Sequence, residues 1–381
     1  MIFWISFGLL FYVYIGFAGL AIIVGGILNR RVDKKYITPK MTLIIAAYNE
    51  ESSIADRLEN ALELDYPKDA LEIIVASDGS SDNTDRIVTD YADRGVKLVK
   101  LPRRGKIHAL TDAVLHATGE VLVFSDANSF YERMALRELI ANFADPEVGG
   151  VCGNTIYSRE EHSDSCSQGE TLYWEYDKWL KQVESATGSI ISADGTIYAV
   201  RRELYRPGND FAVTDDFAIS TGVIEQGFRL VFEQEARAYE YAVPVAKREF
   251  SRKVRIMTRG LRGVISRKNL FNPFRYGFYS IILFTHKVLR RLVFIMLITL
   301  CVSNLFLLSS STFFVSFAML QLIFYILAGV GYLLHSRDLG KSRILYIPFF
   351  YCMANLAALI AVKNVLQGQK IEQWEPQRHN S

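Results

Sequence analysis

The chain has 381 residues, of which 50% are hydrophobic and 22% are charged. This apolar content excludes a disordered chain, and the net charge of +2 lacks the basic excess of nucleic-acid-binding proteins, so we expect no nucleic-acid partner. The four cysteines form no CxxC pair, which indicates neither a zinc site nor a disulfide framework. The length allows two or three domains.

An uncharged segment over residues 2–28 is long enough to cross a bilayer. No basic region precedes it, so we expect a transmembrane helix over residues 1–28 rather than a cleaved signal peptide. Four basic residues follow at once: Arg30, Arg31, Lys34 and Lys35. The positive-inside rule then places the N-terminus outside and the next part of the chain in the cytoplasm.

Between residues 29 and 268, short apolar runs alternate with segments of helical spacing. The strands are predicted at residues 41–47, 71–77, 96–101 and 120–125, and the helices at 51–64, 82–92 and 106–117. This alternation predicts one cytoplasmic domain with a mostly parallel sheet covered on both faces. Ligands bind such sheets beyond the carboxyl ends of the strands.

Residues 269–291 combine aromatic side chains with a basic end, which predicts a helix lying in the membrane interface. An ordinary amphipathic core helix is the alternative. Three apolar runs follow, at residues 292–308, 313–334 and 344–362, and predict three transmembrane helices within residues 292–366. With a tail at 367–381, four spans place both termini outside, although basic residues in the tail argue against its outside position.

Acidic residues follow three of the predicted strands, and a lysine opens one of the helices. Glu50, Asp78 and Asp126 each stand at a strand end, where one alone is equally explained as a helix cap but three together indicate a site. Lys106 is poorly placed for the helix dipole unless a phosphate binds there; a solvated basic turn is the alternative. No Walker A or GxGxxG motif is present.

Six motifs occur in a fixed order: AYNE, DGSSD, GKxxAL, SDAN, ADGTIYAVRREL and TDDF. Their order over about residues 41–263 resembles the membrane-bound family-2 glycosyltransferases, which include relatives of the cellulose, hyaluronan, chitin-oligosaccharide and poly-N-acetylglucosamine synthases. The resemblance implies an α/β fold: a glycosyltransferase A-type, Rossmann-like mixed sheet in a cytoplasmic domain, plus helical transmembrane segments. It also implies a multi-pass protein of the cell (inner) membrane.

The resemblance assigns roles on the donor side. Tyr48 and Glu50 would border the nucleobase and ribose, Asp78 would hold the nucleobase, and Lys106 would meet the donor. Asp126 would contact the ribose and a Mg²⁺ or Mn²⁺ ion.

The second acid of the family's DxD motif is Asn128 here. An amide oxygen can ligate a hard cation but brings no charge.

On the acceptor side, Gly195 lies in a stretch of small residues that, in the family, lets the substrate approach the backbone. A plain tight turn is the alternative. Asp215 and Asp216 match the family's T-E-D motif, which makes Asp216 the general base of a single, inverting displacement. A surface helix cap would explain the same residues.

The family's processive members carry QxxRW, and the nearest match here begins at Arg252. Arg255 keeps the phosphate-facing arginine, but Ile256 replaces the tryptophan that stacks on the acceptor sugar. This loss argues against a long-chain polymerase. The basic stretch is equally explained as a helix on anionic lipid headgroups.

We therefore expect a metal-dependent enzyme of the hexosyltransferase type. It would transfer a sugar from a nucleotide-diphosphate sugar to a growing saccharide at the lipid bilayer, and we expect the donor to be a UDP-sugar. The alternative is transfer of one or a few sugars to a lipid or lipid-linked acceptor. A non-catalytic membrane partner is favoured by Asn128 and Ile256, but the intact Asp78, Asp126 and Asp216 argue against it. The predicted spans carry no internal charges that would mark an ion path.

Overall fold

The computed structural model of the chain describes residues 1–158, 166–207, 213–241, 246–335 and 337–369. The strands are β1 (Met41–Ala47), β2 (Leu71–Asp78), β3 (Val96–Leu101), β4 (Val121–Asp126), β5 (Ser129–Tyr131), β6 (Val148–Ser158), β7 (Ile197–Arg201) and β8 (Arg229–Tyr241). The helices of the first half are α1 (Ile2–Leu28), α2 (Ile54–Glu63), α3 (Thr84–Thr89), α4 (Lys106–Val114) and α5 (Ala135–Ala141). Those that follow are α6 (Cys166–Thr187), α7 (Asp215–Glu225), α8 (Ala246–Ser266), α9 (Pro273–Tyr276), α10 (Phe278–Arg291), α11 (Val293–Leu305), α12 (Thr312–Leu334) and α13 (Arg343–Leu366).

The eight strands form one mixed sheet in the order β3-β2-β1-β4-β7-β6-β8-β5. The first four strands pair in parallel, as the sequence predicts, whereas β7 runs antiparallel to both β4 and β6. Because the parallel strands share one direction, their carboxyl ends meet at one edge, where Ala46 pairs with Asp126. The predicted site residues of β2 and β4 therefore lie at the same rim.

Both faces of the sheet are covered, so every residue of β1 is buried. Ile44 and Ala46 pack into one core cluster, whereas Leu43 and Ile45 pack into a second cluster on the opposite face. The first cluster extends beyond the sheet to Phe17 of α1. The core of the sheet region thus includes a side chain of the first apolar helix.

Three predicted helices are shorter in the structure than the sequence indicates: residues 51–64 yield α2, 82–92 yield α3, and 106–117 yield α4. The start of α3 has a local cause, because the Asp82 carboxylate accepts hydrogen bonds from the amide (3.0 Å) and hydroxyl (2.6 Å) of Thr84. At the end of α4, the amide of Thr118 instead donates to the Glu72 side chain at 2.9 Å, which holds a turn.

Three helices are long and apolar enough to cross a membrane in the described part of the chain: α1, α12 and α13. A fourth span exists only if α10 and α11, which meet at an angle of 57°, count as one. The span predicted at residues 292–308 coincides with α11, which has 13 residues and is too short to cross alone, so this span stays a prediction that depends on α10. Residues 269–291 also differ from a free interface helix, since Tyr279, Ile282 and Leu283 are buried in the first core cluster.

Candidate functional site

Two helix starts and one strand end meet at the rim of the sheet. Lys106, the first residue of α4, lies between two carboxylates: its Nζ is 2.6 Å from Asp126 Oδ1 and 3.0 Å from Asp215 Oδ2. Asp126 ends β4, and Asp215 begins α7. The structure thus brings together three residues that the sequence places far apart, and their side chains are between 11% and 26% exposed.

The charges at this rim depend on one another. Burial alone would lower the pKa of Lys106, but the charges of Asp126 and Asp215 reverse this effect and raise it. Burial raises the pKa of Asp126, Lys106 opposes that rise, and Asp215 adds to it. The lysine therefore remains charged and holds the two carboxylates in place.

Asp216 is the next residue of α7, and its Oδ1 accepts a hydrogen bond from the amide of Phe217 at 2.7 Å. Burial and the adjacent charge of Asp215 raise the pKa of Asp216. A carboxylate with a raised pKa accepts a proton more readily than an ordinary aspartate. This chemistry agrees with the predicted general base, although the role itself stays a prediction.

Gly195 faces the ion pair. A Cβ added to it would lie 3.4 Å from Lys106 Nζ and 3.6 Å from Asp126 Oδ2. The preceding Asp194 accepts a hydrogen bond from Lys181 Nζ at 2.5 Å, and Lys181 also pairs with Asp177 of its own helix at 3.1 Å. Lys181 is 5% exposed and anchors this turn, a role that the sequence analysis missed.

Asp78 stabilises the loop that leads into Lys106. Its carboxylate accepts hydrogen bonds from the amides of Arg104 (2.8 Å) and Gly105 (2.9 Å) and from the Arg103 side chain. The Arg103 guanidinium also stacks on the Tyr48 ring, 3.4 Å from its centroid. Asp78 and Tyr48 therefore both contact Arg103, and their predicted nucleobase contacts stay predictions.

Glu50 lies at the same rim, where its Oε2 accepts a hydrogen bond from Ser53 at 2.8 Å and its amide donates to Thr84 at 2.8 Å. These contacts hold the turn after β1. Its predicted part in binding the ribose stays a prediction.

The sequence analysis also missed Glu240, near the end of β8. Its Oε2 accepts a hydrogen bond from Thr196 Oγ1 at 3.2 Å, and its Oε1 lies 3.5 Å from the Asn128 amide nitrogen. Burial and the charge of Asp126 raise the pKa of Glu240, while Arg252 lowers it. No motif marks this glutamate, because only the sheet order brings β8 beside β5.

The basic helix α8 carries Arg252 and Arg255, the two arginines of the incomplete match to QxxRW. Arg252 is close enough to Glu240 for its charge to favour the ionised carboxylate. Arg255 lies three residues further along and is half-buried, and its phosphate contact stays a prediction. Ile256, which replaces the family's tryptophan, is 42% exposed.

Among the residues that the structure describes, no three His, Cys, Asp or Glu side chains could together hold a metal ion. The oxygen atoms of Asp126, Asn128 and Glu240 are nonetheless the hard donors that Mg²⁺ and Mn²⁺ prefer. Mg²⁺ at phosphate-handling sites is commonly bound by one or two carboxylates, with substrate phosphates and water completing its shell. The donor set therefore fits a cation that is shared with a substrate phosphate.

Comparisons with known proteins agree with this architecture. Residues 42–207 match the family described as Glycosyl transferase family 2. A probable glycosyltransferase of Bacillus subtilis, YdaM, is 30% identical over 220 residues, which cover 53% of this chain and 50% of that protein. The poly-beta-1,6-N-acetyl-D-glucosamine synthase of Staphylococcus epidermidis is 28% identical over 203 residues, which cover 51% and 48% of the two chains. The chain thus spans about half the length of these curated relatives.

One solved structure matches almost the whole chain. It is the mannosyltransferase PcManGT from Pyrobaculum calidifontis, in complex with GDP-Man and Mn²⁺, with a TM-score of 0.71 and 22% identity over 97% of this chain and 100% of that one. At this identity the likeness shows the fold. The expected glycosyltransferase A-type architecture is confirmed, residues 42–207 match the glycosyl transferase family 2 model, and three of the described helices are apolar enough to cross a membrane.

Proposed function

We propose that the protein transfers a sugar from a nucleotide-diphosphate sugar, a UDP-sugar by expectation, to a growing saccharide at the membrane by a single, inverting displacement. The observation that carries this proposal is the position of Lys106 between Asp126 and Asp215, with Asp216 next in the chain. This arrangement supports the proposal that one rim offers a cation to a phosphate and a carboxylate to a hydroxyl proton.

The donor side is built on the loop after β3. Asp78 fixes the loop amides, and the loop in turn positions Lys106 at the first turn of α4. A helix start supplies free N–H groups to an anion, and Lys106 adds a full charge. The Arg103 guanidinium stacks on the Tyr48 ring, and a nucleobase would stack on the same ring.

Asp126 and Asn128 would hold a divalent cation. When bound, the cation neutralises the charge that develops on the leaving diphosphate. Lys106 would contribute to the same neutralisation from the other side of Asp126. Buried carboxylates that stand close together favour such a partner, because unpaired charge is costly in a buried site.

The acceptor hydroxyl would attack the anomeric carbon from the side opposite the diphosphate. Asp216 takes the hydroxyl proton, the new glycosidic C–O bond forms, and the sugar–phosphate bond breaks with its electron pair leaving on the nucleoside diphosphate. One displacement of this kind inverts the anomeric centre. Gly195 leaves room beside Lys106 and Asp126 for the reacting sugar.

The curated relatives support a saccharide acceptor, because they include poly-beta-1,6-N-acetyl-D-glucosamine synthases at 27–28% identity. A second candidate is transfer of one or a few sugars to a lipid or lipid-linked acceptor. It is favoured by Ile256 at the place of the stacking tryptophan.

The apolar helices support a membrane location, and we propose that the catalytic region faces the cytoplasm. The basis is the basic cluster at residues 30–35, directly after α1. Cysteines introduced one at a time at exposed sites, such as Tyr36 and Leu115, should resist an impermeant thiol reagent in intact cells. Labelling of these cysteines from outside the cell would contradict the proposed topology.

The central experiment offers the purified full-length protein a panel of UDP- and GDP-sugars with Mg²⁺ or Mn²⁺ and measures nucleoside diphosphate release. We expect release with one donor class, its loss in excess chelator, and an inverted anomeric configuration in the product. Chain length analysis of the product separates the two acceptor candidates. Transfer that persists in chelator would contradict the metal requirement, and release with no member of the panel would contradict the proposed donor class.

A further inference from the structure

Glu240 lies at a place that the proposed mechanism leaves short of charge. Its neighbours adjoin proposed site residues: Asn128 is two residues from Asp126, and Thr196 follows Gly195. Both of these neighbours are neutral. A buried carboxylate is costly unless a cation or several hydrogen bonds compensate it.

The position of Glu240 is fixed by strand pairing rather than by a flexible side chain. Glu240 of β8 pairs with Ser129 of β5, directly after Asn128. In an antiparallel pair, opposing side chains lie on the same face. The Ser129 hydroxyl is fully buried and has no hydrogen-bond partner within the described residues, which leaves a further oxygen beside the carboxylate.

We propose that Glu240, together with Asp126, supplies the negative charge of the divalent cation site, in place of the acid that is absent at position 128. The inference rests on the proposed function, because it assigns a residue to the cation used there. The Asn128 amide nitrogen faces Glu240, which leaves the amide oxygen for the cation. Charge and amide oxygen would thus come from two strands instead of one motif.

Electrostatics supports this division. Four carboxylates interact in this region: Asp126, Asp215, Asp216 and Glu240. The cations that act on them are Lys106, Arg252 and Lys287. Lys106 is shared between Asp126 and Asp215, and Arg252 is the cation that acts on Glu240, so the four carboxylates outnumber these three cations.

The test measures Mn²⁺ binding to the detergent-solubilised full-length protein, without donor, from the electron paramagnetic resonance signal of free Mn²⁺. Glu240→Gln should weaken Mn²⁺ binding by about 10–100-fold. Adding Asn128→Asp to that variant should restore most of the affinity, because the charge returns to the neighbouring position. Glu235→Gln is the matched control: it removes a carboxylate from the same strand, where Glu235 pairs with Arg237 and is 54% exposed.

The outcomes separate the two proposals. A wild-type protein that binds no Mn²⁺ without donor overturns the inference, whereas the metal requirement of the proposed function fails only if transfer persists in chelator. Wild-type binding that Glu240→Gln leaves unchanged overturns the role of Glu240 alone. Thermal melting without metal tests a purely structural role. A Glu240→Gln variant that melts far below the wild type, or fails to fold, marks a structural residue and also overturns the inference.

Discussion

Replacing Lys106 with Met removes the cation that lies between Asp126 and Asp215. Each carboxylate oxygen is within 3.0 Å of Nζ, so the two are at most about 6 Å apart and repel by about 3 kcal/mol at an effective dielectric constant of about 20. Both carboxylates are largely buried, so solvent screens little of this energy. We expect the free energy of unfolding at neutral pH to fall by about 3 kcal/mol.

The loss should depend on pH in a defined direction. Without Lys106 the folded-state pKa of Asp126 rises further above its unfolded value, so the folded state binds a proton that the unfolded state releases. Stability then increases as the pH falls through the raised pKa, and the deficit of the variant shrinks. At about 2 °C per kcal/mol, the melting temperature should drop by roughly 6 °C at about pH 8 and clearly less at about pH 5.

The assay is thermal melting of the solubilised full-length protein at the two pH values, followed by tryptophan fluorescence without metal. Lys100→Met is the matched control, because Lys100 pairs with Asp85 at 3.3 Å but is 64% exposed, and such surface pairs contribute less than about 1 kcal/mol. A deficit of equal size at both pH values would refute the reasoning, since lost packing rather than carboxylate repulsion would then explain it.

Three further predictions concern the acceptor side. Asp216→Asn should lower turnover by about 10²–10⁴-fold, with little change in the nucleotide affinity that calorimetry measures. Asp215→Asn should lower turnover less and should also weaken nucleotide binding. Full turnover in the Asp216→Asn variant would exclude Asp216 as the base. Because burial and Asp215 raise the pKa of Asp216, the rate should begin to fall, on lowering the pH, at a higher pH than it would with an ordinary aspartate as the base. Asp215→Asn should move that limb to lower pH in a pH–rate profile, and an unmoved limb would contradict the coupling. Gly195→Ala should leave the melting temperature unchanged, since the φ of Gly195 is not left-handed and the new Cβ would lie 3.4 Å from Lys106 Nζ. The same substitution should raise the donor KM about tenfold. An unchanged KM would place the donor elsewhere.

Much of this site follows from chain-local signals. β4 ends at Asp126, where a buried run gives way to polar residues, and α4 begins at Lys106, directly after Arg103, Arg104 and Gly105. Parallel pairing then brings strand ends to one edge, which is enough to anticipate a site there. Gly195 was accessible in the same way, from the small residues around it.

Other parts depend on information that no short segment contains. Glu240 reaches Asn128 only because β8 lies between β6 and β5, an order set by the packing of the whole sheet. The Asp78 carboxylate accepts hydrogen bonds from backbone amides, and no pattern of side chains in the sequence predicts such bonds. The shortened α11 and the burial of Tyr279 likewise follow from tertiary packing, whereas hydropathy measures only composition.

The first core cluster has a consequence for how such a protein can be divided. Phe17 and Ala21 of α1 and Tyr279 of α10 are buried in the same cluster as Phe124 and Tyr198, whose strands carry the site. A fragment limited to residues 29–268 would lose these partners and expose apolar surface, so it should aggregate rather than work as a soluble enzyme. Anchorage and catalysis share one interior, and a substitution on the helices that meet the lipid can therefore be selected for, or against, through its effect on sugar transfer.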